Sequence, residues 1–242
     1  SAPAVTFDPA EVNAPEGAGT ATFTVKLSAA SASPITVKYA TVGGGSATEG
    51  ADYTAASGTL TFAPGETAKT FTVAILNDAL DETDETVNLA LSDPTNATLG
   101  TPFGAVLTIL DDDDPPSVAF SQAGFKKGEP AGTVAIEVKL SAASGQVVTV
   151  DYAVTGGTAE PDNDFGNVSG TLSFAPGATS AFIDLTLIDD AQDEPDETVI
   201  LTLSNPVNAT LGTPKDFTLT IDDNDKPGST DYKVYGPVIV KE

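Results

Sequence analysis

Short stretches in which apolar and polar residues alternate recur along the whole chain, and Gly, Pro, Asn and Asp separate them. Between residues 22 and 27, for example, Phe23, Val25 and Leu27 alternate with threonine and lysine. A period of two residues is typical of a β-strand that buries one face. The sequence lacks stretches with the longer period of an amphipathic helix, so the pattern predicts an all-β protein with many turns.

The pattern runs through the chain twice. Residues 16–31 (EGAGTATFTVKLSAAS) return at 129–144 as EPAGTVAIEVKLSAAS, and residues 57–67 (SGTLTFAPGET) return at 169–179 as SGTLSFAPGAT. The offset between the copies is 113 residues at first and 112 later, so one loop differs by one residue. A repeat of this length corresponds to a whole domain rather than to a short solenoid unit.

About seven strands fit each copy, which is typical of a β-sandwich. We therefore predict two tandem immunoglobulin-like antiparallel β-sandwiches of about seven strands each, at residues 1–114 and 115–227. Residues 228–242 lie outside both copies and are rich in valine and tyrosine, so we predict a strand-like C-terminal tail. This tail is the first strand of a further domain, a linker or tag, or a donor strand that pairs with the sheet edge of a neighbouring subunit.

The composition removes several classes of function. The chain has no Cys, His, Met or Trp, and all ten basic residues are lysine. These absences exclude disulfides, zinc sites built from Cys and His, and catalysis by a Ser–His–Asp triad. Paired carboxylates support glycoside hydrolysis in other proteins, but this chain has too many of them and no tryptophan to serve as a sugar platform. We therefore expect that the protein is not an enzyme.

The net charge of −25 is shared almost equally by the two copies. Residues 1–114 carry 16 acidic residues and 3 lysines, and residues 115–226 carry 17 acidic residues and 5 lysines. Such a negative field disfavours nucleic acids and anionic membrane surfaces and favours cations. Apolar runs are also far shorter than the roughly 20 residues that span a bilayer. We therefore expect neither a nucleic-acid partner nor membrane insertion.

Acidic residues are concentrated between two late strands of each copy. Residues 76–86 (LNDALDETDET) hold five carboxylates, and residues 188–198 (IDDAQDEPDET) hold six. Two unit charges 4 Å apart repel by about 1 kcal/mol in water and about 4 kcal/mol at an effective dielectric constant of about 20. Ca²⁺ takes about 6–8 oxygen ligands in flexible geometry and suits such a cluster better than Mg²⁺ does. We therefore predict calcium sites, with more than one Ca²⁺ per domain; the alternative is a solvated acidic surface.

Several motifs occur in the same order in this chain: an early Glu, a DY or DF pair after a glycine-rich loop, SGTLTFAPGE, ILNDALDETDETVNLALS and a final LTILDDDD. Together they resemble the Calx-β domain. That family is the calcium-binding β-sandwich of the regulatory region of the sodium–calcium exchanger, and it recurs in bacterial surface proteins and adhesins. The resemblance covers residues from about 4 to 114 and from about 117 to 226.

The resemblance also implies which residues hold calcium. In the first copy the implied ligands are Glu16, Asp52, Asp78, Glu82, Glu85, Asp111, Asp112 and Asp113, with the backbone carbonyl of Leu80. In the second copy they are Glu129, Asp164, Asp189, Asp190, Glu194, Glu197, Asp223, Asn224 and Asp225, with the backbone carbonyl of Gln192.

Each copy departs from the family pattern at one acidic position. Asn77 replaces the first of two paired aspartates in the first copy, and Asn224 replaces the middle aspartate of the final run in the second copy. An amide still offers an oxygen but carries no charge. We therefore expect weaker calcium binding, or one ion fewer, in each domain.

These features favour an extracellular calcium-binding structural or adhesion module, secreted to a bacterial cell surface, in which Ca²⁺ at the sandwich tips stiffens the interdomain joint. Residues 111–117 (DDDDPPS) support stiffening because the carboxylates run directly into two prolines, which restrict the backbone. One alternative is a subunit of a surface fibre that assembles by donor-strand exchange through residues 228–242. Another is a calcium-sensing regulatory segment of a larger protein. The expected partners are calcium and neighbouring domains or subunits of the same protein.

Overall fold

The structure is a computed structural model that describes residues 2–166 and 168–225. The Cα positions divide the chain into two compact units that change over at Pro115 and Pro116, with Ala143–Gln146 assigned to the first unit. Each unit has its own hydrophobic core. The predicted tail at 228–242 lies outside the described residues.

The first unit, here called sandwich 1, contains ten strands within the described residues. They are β1 (Ala4–Phe7), β2 (Glu11–Pro15), β3 (Thr20–Leu27), β4 (Ile35–Val42), β5 (Tyr53–Thr54), β6 (Ser57–Phe62), β7 (Ala68–Ile75), β8 (Glu85–Thr95), β9 (Thr98–Leu99) and β10 (Gly104–Leu110). A short 3-10 helix, Glu16–Ala18, follows β2. The strands form two sheets, with the orders β5-β7-β3-β1-β9 and β2-β10-β8-β4-β6.

The apolar positions of the alternating pattern form the core between these two sheets. In β3, Phe23, Val25 and Leu27 are buried, whereas Thr22 and Lys26 are exposed. Burying one large apolar side chain stabilises a fold by roughly 1.5–3 kcal/mol. The period of two in the sequence therefore predicted correctly which face of this strand points inward.

The second unit, here called sandwich 2, contains nine strands within the described residues. They are β11 (Ser117–Phe120), β12 (Gly124–Gly128), β13 (Thr133–Leu140), β14 (Val148–Gly157), β15 (Ser169–Phe174), β16 (Ser180–Thr186), β17 (Glu197–Val207), β18 (Thr210–Leu211) and β19 (Asp216–Asp222). A 3-10 helix, Glu129–Ala131, again follows the second strand. The sheet orders are β16-β13-β11-β18 and β12-β19-β17-β14-β15.

The all-β sandwich class is confirmed, but two details of the prediction are wrong. Each sandwich has more than about seven strands, because its N-terminal segment is split between the two sheets and strands of only two residues also pair. The sandwiches are also not purely antiparallel. β2 pairs in parallel with β10, and β12 with β19. The parallel pairs arise because the N-terminal segment crosses to the second sheet and there runs beside the last strand of its sandwich in the same direction.

Four segments of sandwich 1 meet at one end, here called the acidic tip of sandwich 1. They are the 3-10 helix, residues 43–52, residues 76–84 and residues 111–114. The backbone N–H of Asp78 donates to Glu16 Oε1 at 2.6 Å, and the N–H of Glu82 donates to Asp111 Oδ1 at 3.2 Å. The same segments of sandwich 2 form its acidic tip. No helix within the described residues is long and apolar enough to cross a membrane.

A glycine in the loop 43–52 allows this loop to pass across the start of β8. A Cβ atom on Gly45 would lie 2.1 Å from the backbone oxygen of Thr86. Only a residue without a side chain fits at that distance. The glycine-rich sequence before Asp52 therefore brings that carboxylate towards the tip.

Candidate metal centre

Glu16 links the 3-10 helix of sandwich 1 to the acidic loop. It is the first residue of the helix, and only 7% of it is exposed. One of its carboxylate oxygens accepts the 2.6 Å hydrogen bond from the backbone N–H of Asp78. A carboxylate is therefore held inside the protein where several other acidic side chains converge.

The acidic tip of sandwich 1 contains two groups of three carboxylates. Within each group, one oxygen from each residue lies within 4.8 Å of one oxygen from the other two. The groups are Glu16, Asp112 and Asp113, and Asp52, Glu82 and Glu85. A narrow cavity is lined by all three members of the second group, and also by Glu16 and Asp111. The two groups are therefore neighbours.

Two of the implied ligands order the tip backbone of sandwich 1. Asp78 Oδ1 accepts a hydrogen bond from the N–H of Leu80 at 2.8 Å. Asp111 Oδ1 accepts one from the N–H of Glu82 at 3.2 Å, and the N–H of Asp111 donates to Asp84 Oδ1 at 3.1 Å. These bonds hold the acidic loop against the end of β10.

The acidic tip of sandwich 2 repeats this arrangement. Its two groups are Glu129, Asp223 and Asp225, and Asp164, Glu194 and Glu197. Glu129 is 5% exposed and Asp164 is 7% exposed. The group of Asp164, Glu194 and Glu197 corresponds residue for residue to the second group of sandwich 1. The group of Glu129 differs at one position, because it contains Asp223, the counterpart of Asp111, where sandwich 1 has Asp112.

Three carboxylate oxygens at these tips are buried and lack a hydrogen-bond partner among the described residues. They are Oδ2 of Asp113, Oε2 of Glu129 and Oδ2 of Asp225. A buried acceptor without a partner costs about 1–3 kcal/mol, and more when it is charged. All three belong to the groups that contain Glu16 or Glu129. A cation placed in those groups would satisfy them.

The pKa of Glu129 rises to about 7, first because the side chain is buried and then because four aspartates repel its charge. The pKa of Glu85 and that of Glu197 also rise to about 7. Burial is again the largest cause, followed by a hydrogen bond shared with the carboxyl group of Asp52 or of Asp164. Each tip therefore holds more negative charge than its environment stabilises.

The pKa values of other carboxyl groups at the tips shift in both directions. Burial and neighbouring charges raise the pKa of Glu82 and of Glu194. The pKa of Asp190 is instead lowered, because the side-chain and backbone N–H groups of Gln192 donate to it. Asp190 therefore remains charged at the rim of the cluster.

Not every implied ligand belongs to one of the four groups of three carboxylates. Those that lie outside the groups are Asp78, Leu80, Asp111, Asp189, Asp190, Gln192 and Asn224. Leu80 and Gln192 contribute a backbone N–H to Asp78 and Asp190 respectively. Asn224 donates its amide to Asp189 at 3.2 Å. These residues border the groups and remain proposed ligands.

Sequence analysis missed residues that shape the tips without belonging to the groups. Asp84 accepts a hydrogen bond from the N–H of Asp111. In sandwich 2, Lys126 Nζ lies 2.6 Å from Asp222 Oδ1 and 3.0 Å from Asp196 Oδ2. Asp84 and Asp196 occupy the same place in the repeated acidic motif, and this recurrence could have identified them from the sequence. Lys126 belongs to a strand far away in sequence, so no local pattern pointed to it.

The donor set consists of carboxylate, amide and backbone oxygens. Hard cations such as Ca²⁺ and Mg²⁺ prefer oxygen ligands, whereas Zn²⁺ sites usually contain Cys or His. The unpartnered buried oxygens and the raised pKa values both favour added positive charge. The residues present therefore fit a hard divalent cation.

Comparison with known proteins identifies the family of this chain. The Calx-beta domain profile matches residues 1–113 and 111–225. The chain belongs to the Calx-beta family. It is 30% identical over 164 residues to the sodium/calcium exchanger Calx of Drosophila melanogaster, a match that covers 67% of this chain and 17% of the exchanger. It is 32% identical over 182 residues to sodium/calcium exchanger 1 of Bos taurus, covering 67% of this chain and 19% of that protein.

A third relative has a different name. Extracellular matrix protein 3 of Lytechinus variegatus is 31% identical over 170 residues, covering 67% of this Calx-beta chain and 6% of that protein. The aligned region thus makes up less than a fifth of each of these three relatives. Among solved structures, CBD12 from CALX1.2 aligns with a TM-score of 0.46 and 22% identity, covering 90% of this chain and 99% of that one. The apo-form Calx CBD1 domain aligns with a TM-score of 0.45 and 28% identity, covering 47% of this chain and all of that one.

Proposed function

We propose that each Calx-beta sandwich binds Ca²⁺ at its acidic tip, and that the pair serves as a calcium-sensing regulatory segment of a longer protein. The observation that carries this proposal is the buried carboxylate of Glu129. It is 5% exposed, one of its oxygens lacks a partner among the described residues, and its pKa is raised to about 7. A side chain that is destabilised as an anion in this way is suited to receive a cation.

Several features favour Ca²⁺ over other divalent ions. The tips offer more oxygen atoms than the near-octahedral Mg²⁺ uses, and they come from several loops rather than from one rigid motif. The residues that would hold the ions in sandwich 1 are Glu16, Asp52, Glu82, Glu85, Asp112 and Asp113. Those in sandwich 2 are Glu129, Asp164, Glu194, Glu197, Asp223 and Asp225. More than one ion per domain is proposed because each tip has two such groups.

The electrostatics of the tips provide a basis for sensing. Without a cation, the ionised carboxylates repel one another, and this repulsion destabilises the folded state. When bound, Ca²⁺ supplies the neutralising charge, so binding and the ordering of the tip loops are coupled. The surrounding hydrogen bonds from Leu80 and Glu82 keep Asp78 and Asp111 near their positions. A change in calcium concentration would thus be converted into a change in the order of one end of each sandwich.

The regulatory role is supported by the similarity to sodium/calcium exchangers of the fly and of cattle. Residues 111–114, all aspartates, continue directly into Pro115 and Pro116. We therefore propose that calcium stiffens the interdomain joint, because tip ligands and linker are contiguous in sequence. Small-angle scattering with CaCl₂ and with EDTA tests this part, and identical profiles in the two conditions would refute it.

A second candidate function is an extracellular structural or adhesion module, and the match to extracellular matrix protein 3 favours it. A measurement of the calcium dissociation constant distinguishes the two functions. Calcium sensors of the EF-hand class bind with dissociation constants of about 10⁻⁷–10⁻⁵ M, whereas extracellular modules bind at about 10⁻⁴–10⁻³ M. A micromolar constant would support sensing, and a millimolar constant would support the structural module. Fibre assembly through residues 228–242 is a prediction that falls outside the described residues.

Calcium binding itself is tested by thermal unfolding with CaCl₂, MgCl₂ or EDTA, together with calorimetric titration. A ligand present at about 100 times its dissociation constant adds about 2.7 kcal/mol of stability per site. We expect stabilisation by CaCl₂ well beyond that by MgCl₂, and a weaker response in Glu82→Gln. The matched control is Glu11→Gln, which changes an exposed glutamate of sandwich 1 outside the tip. Equal melting curves in all three solutions would show that the tips are only solvated acidic surfaces.

A further inference from the structure

The two sandwiches carry one amide and one acid at the same corner of the tip, but in opposite order. In sandwich 1 the residues are Asn77 and Asp112, and both face Gly17. A Cβ atom built on Gly17 would lie 3.2 Å from Asn77 Oδ1 and 3.0 Å from Asp112 Oδ2. The corner thus holds a single formal charge.

In sandwich 2 the corresponding residues, each 112 positions later, are Asp189 and Asn224. Here the amide and the acid are in direct contact, because Asn224 Nδ2 donates to Asp189 Oδ1 at 3.2 Å. The acid has moved to the other side of the corner. The corner again holds a single formal charge.

A third position changes together with this pair and explains which side carries the acid. The backbone N–H of Gly17 donates to Asp112 Oδ2 at 3.4 Å. The corresponding residue of sandwich 2 is Pro130, which is the second residue of the equivalent 3-10 helix and has no N–H to donate. An acid at position 224 would lose that donor, and position 224 is an asparagine.

The carboxylate group beside this corner of sandwich 2 contains a buried acceptor that a cation would satisfy. Only 5% of Glu129 is exposed, and its Oε2 atom has no hydrogen-bond partner within the part of the chain that the structure describes. Asp189 is one of the residues whose charge acts on Glu129. The amide–acid corner therefore lies close enough to influence what binds beside Glu129.

We propose that the amide–acid pair at this corner acts as one unit, which holds the corner at a single negative charge in both sandwiches and thereby limits the number or affinity of Ca²⁺ ions bound there. This inference rests on the proposed calcium binding. Exchanging the acid and the amide across the corner of sandwich 1 keeps its net charge but takes the carboxylate out of the group formed with Glu16 and Asp113. Asparagine at position 112 keeps an oxygen that can accept the N–H of Gly17.

The test compares Asn77→Asp with the reciprocal double variant Asn77→Asp/Asp112→Asn in the full chain. Calorimetric titration with CaCl₂ gives the number of ions and their dissociation constants. A matched control is Ala29→Asp, which adds the same charge in an exposed turn after β3. The acidic tip precedes β3, and eight residues of strand span roughly 26 Å, well beyond the Debye length of about 8–10 Å. Melting in EDTA provides a second readout that does not require calcium.

We expect the single variant Asn77→Asp to bind one further ion, or to bind its weakest ion about tenfold more tightly, which corresponds to about 1.4 kcal/mol. It should also melt at a lower temperature in EDTA because it adds a like charge. The reciprocal double variant should melt like the wild type in EDTA, because its net charge is unchanged, and it should not gain the additional or tighter ion of Asn77→Asp. A double variant that behaves like Asn77→Asp, or a single variant that behaves like Ala29→Asp, would overturn the inference. If the wild type binds no calcium, the proposed function itself fails, and this result is distinguishable because it precedes any comparison of variants.

Discussion

Replacement of Glu129 by glutamine should stabilise the calcium-free protein at alkaline pH. The carboxylate of Glu129 is 5% exposed, and burial together with neighbouring aspartates raises its pKa from 4.5 to about 7. A shift of one pKa unit corresponds to about 1.36 kcal/mol. The rise from 4.5 to about 7 therefore corresponds to roughly 3 kcal/mol at pH 8, where the group is ionised. Glutamine has nearly the same shape and avoids this cost.

The sign of the pH dependence follows from linkage. Between pH 4.5 and 7 the folded protein binds a proton at Glu129 that the unfolded chain does not bind, because the folded pKa is higher. The stability of the calcium-free wild type should therefore rise as the pH falls through 7, and the gain should be complete near pH 4.5. The advantage of Glu129→Gln should be largest at pH 8 and should fall to about a quarter of that at pH 5.

Urea unfolding in EDTA at pH 8 and pH 5 measures this effect, with Asp184→Asn as the control. Asp184 is an exposed residue of β16. This variant therefore removes one negative charge from the same sandwich and leaves every carboxylate of the acidic tip in place. In saturating CaCl₂ the advantage of glutamine should disappear or reverse, because the ion then loses a charged ligand. A variant no more stable than the wild type at pH 8 in EDTA, or equally stabilised at both pH values, would refute the reasoning.

The remaining predictions concern affinity, the lysine of sandwich 2 and the glycine loop of sandwich 1. Calcium affinity should fall about tenfold between pH 8 and pH 6 for each ligand whose pKa is about 7, such as Glu85 and Glu197, because a proton then competes with the ion. Calorimetric titration at the two pH values measures this fall, and equal affinities would contradict the prediction. Lys126→Asn should leave the urea midpoint of the calcium-free protein almost unchanged, because its ion pairs are exposed. A large drop in that midpoint would show that the lysine substitutes for a cation. Gly45→Ala should lower the melting temperature of sandwich 1 strongly, because the added Cβ meets the Thr86 backbone oxygen at 2.1 Å; an unchanged melting curve would show that the loop moves at little cost.

Local periodicity was sufficient for much of the fold. Buried residues such as Phe23 and Val25 recur at every second position, and a strand has only two faces, so the sequence determines which side chains point inward. The repeat likewise predicted two similar sandwiches. The split of each N-terminal segment between two sheets was not predictable in this way, because residues such as Val12 and Leu107 pair in parallel across about 95 residues of sequence. Such pairing depends on packing rather than on local pattern.

For the candidate site, the sequence by itself determined the inventory: many carboxylates, the absence of Cys and His, and the recurrence of acidic motifs in both copies. These facts limit the chemistry to oxygen ligands and hard cations. Only the tertiary structure decided how the carboxylates are divided, because loops from four segments converge at the tip. It assigned Asp52, Glu82 and Glu85 to one group, and it left Asp78 as an acceptor for a backbone N–H. It also brought Lys126 to the rim of one tip. Charges interact through space, so the pKa values of the carboxyl groups and their fit to an ion depend on distances in the folded protein. The order of residues in the sequence does not give these distances.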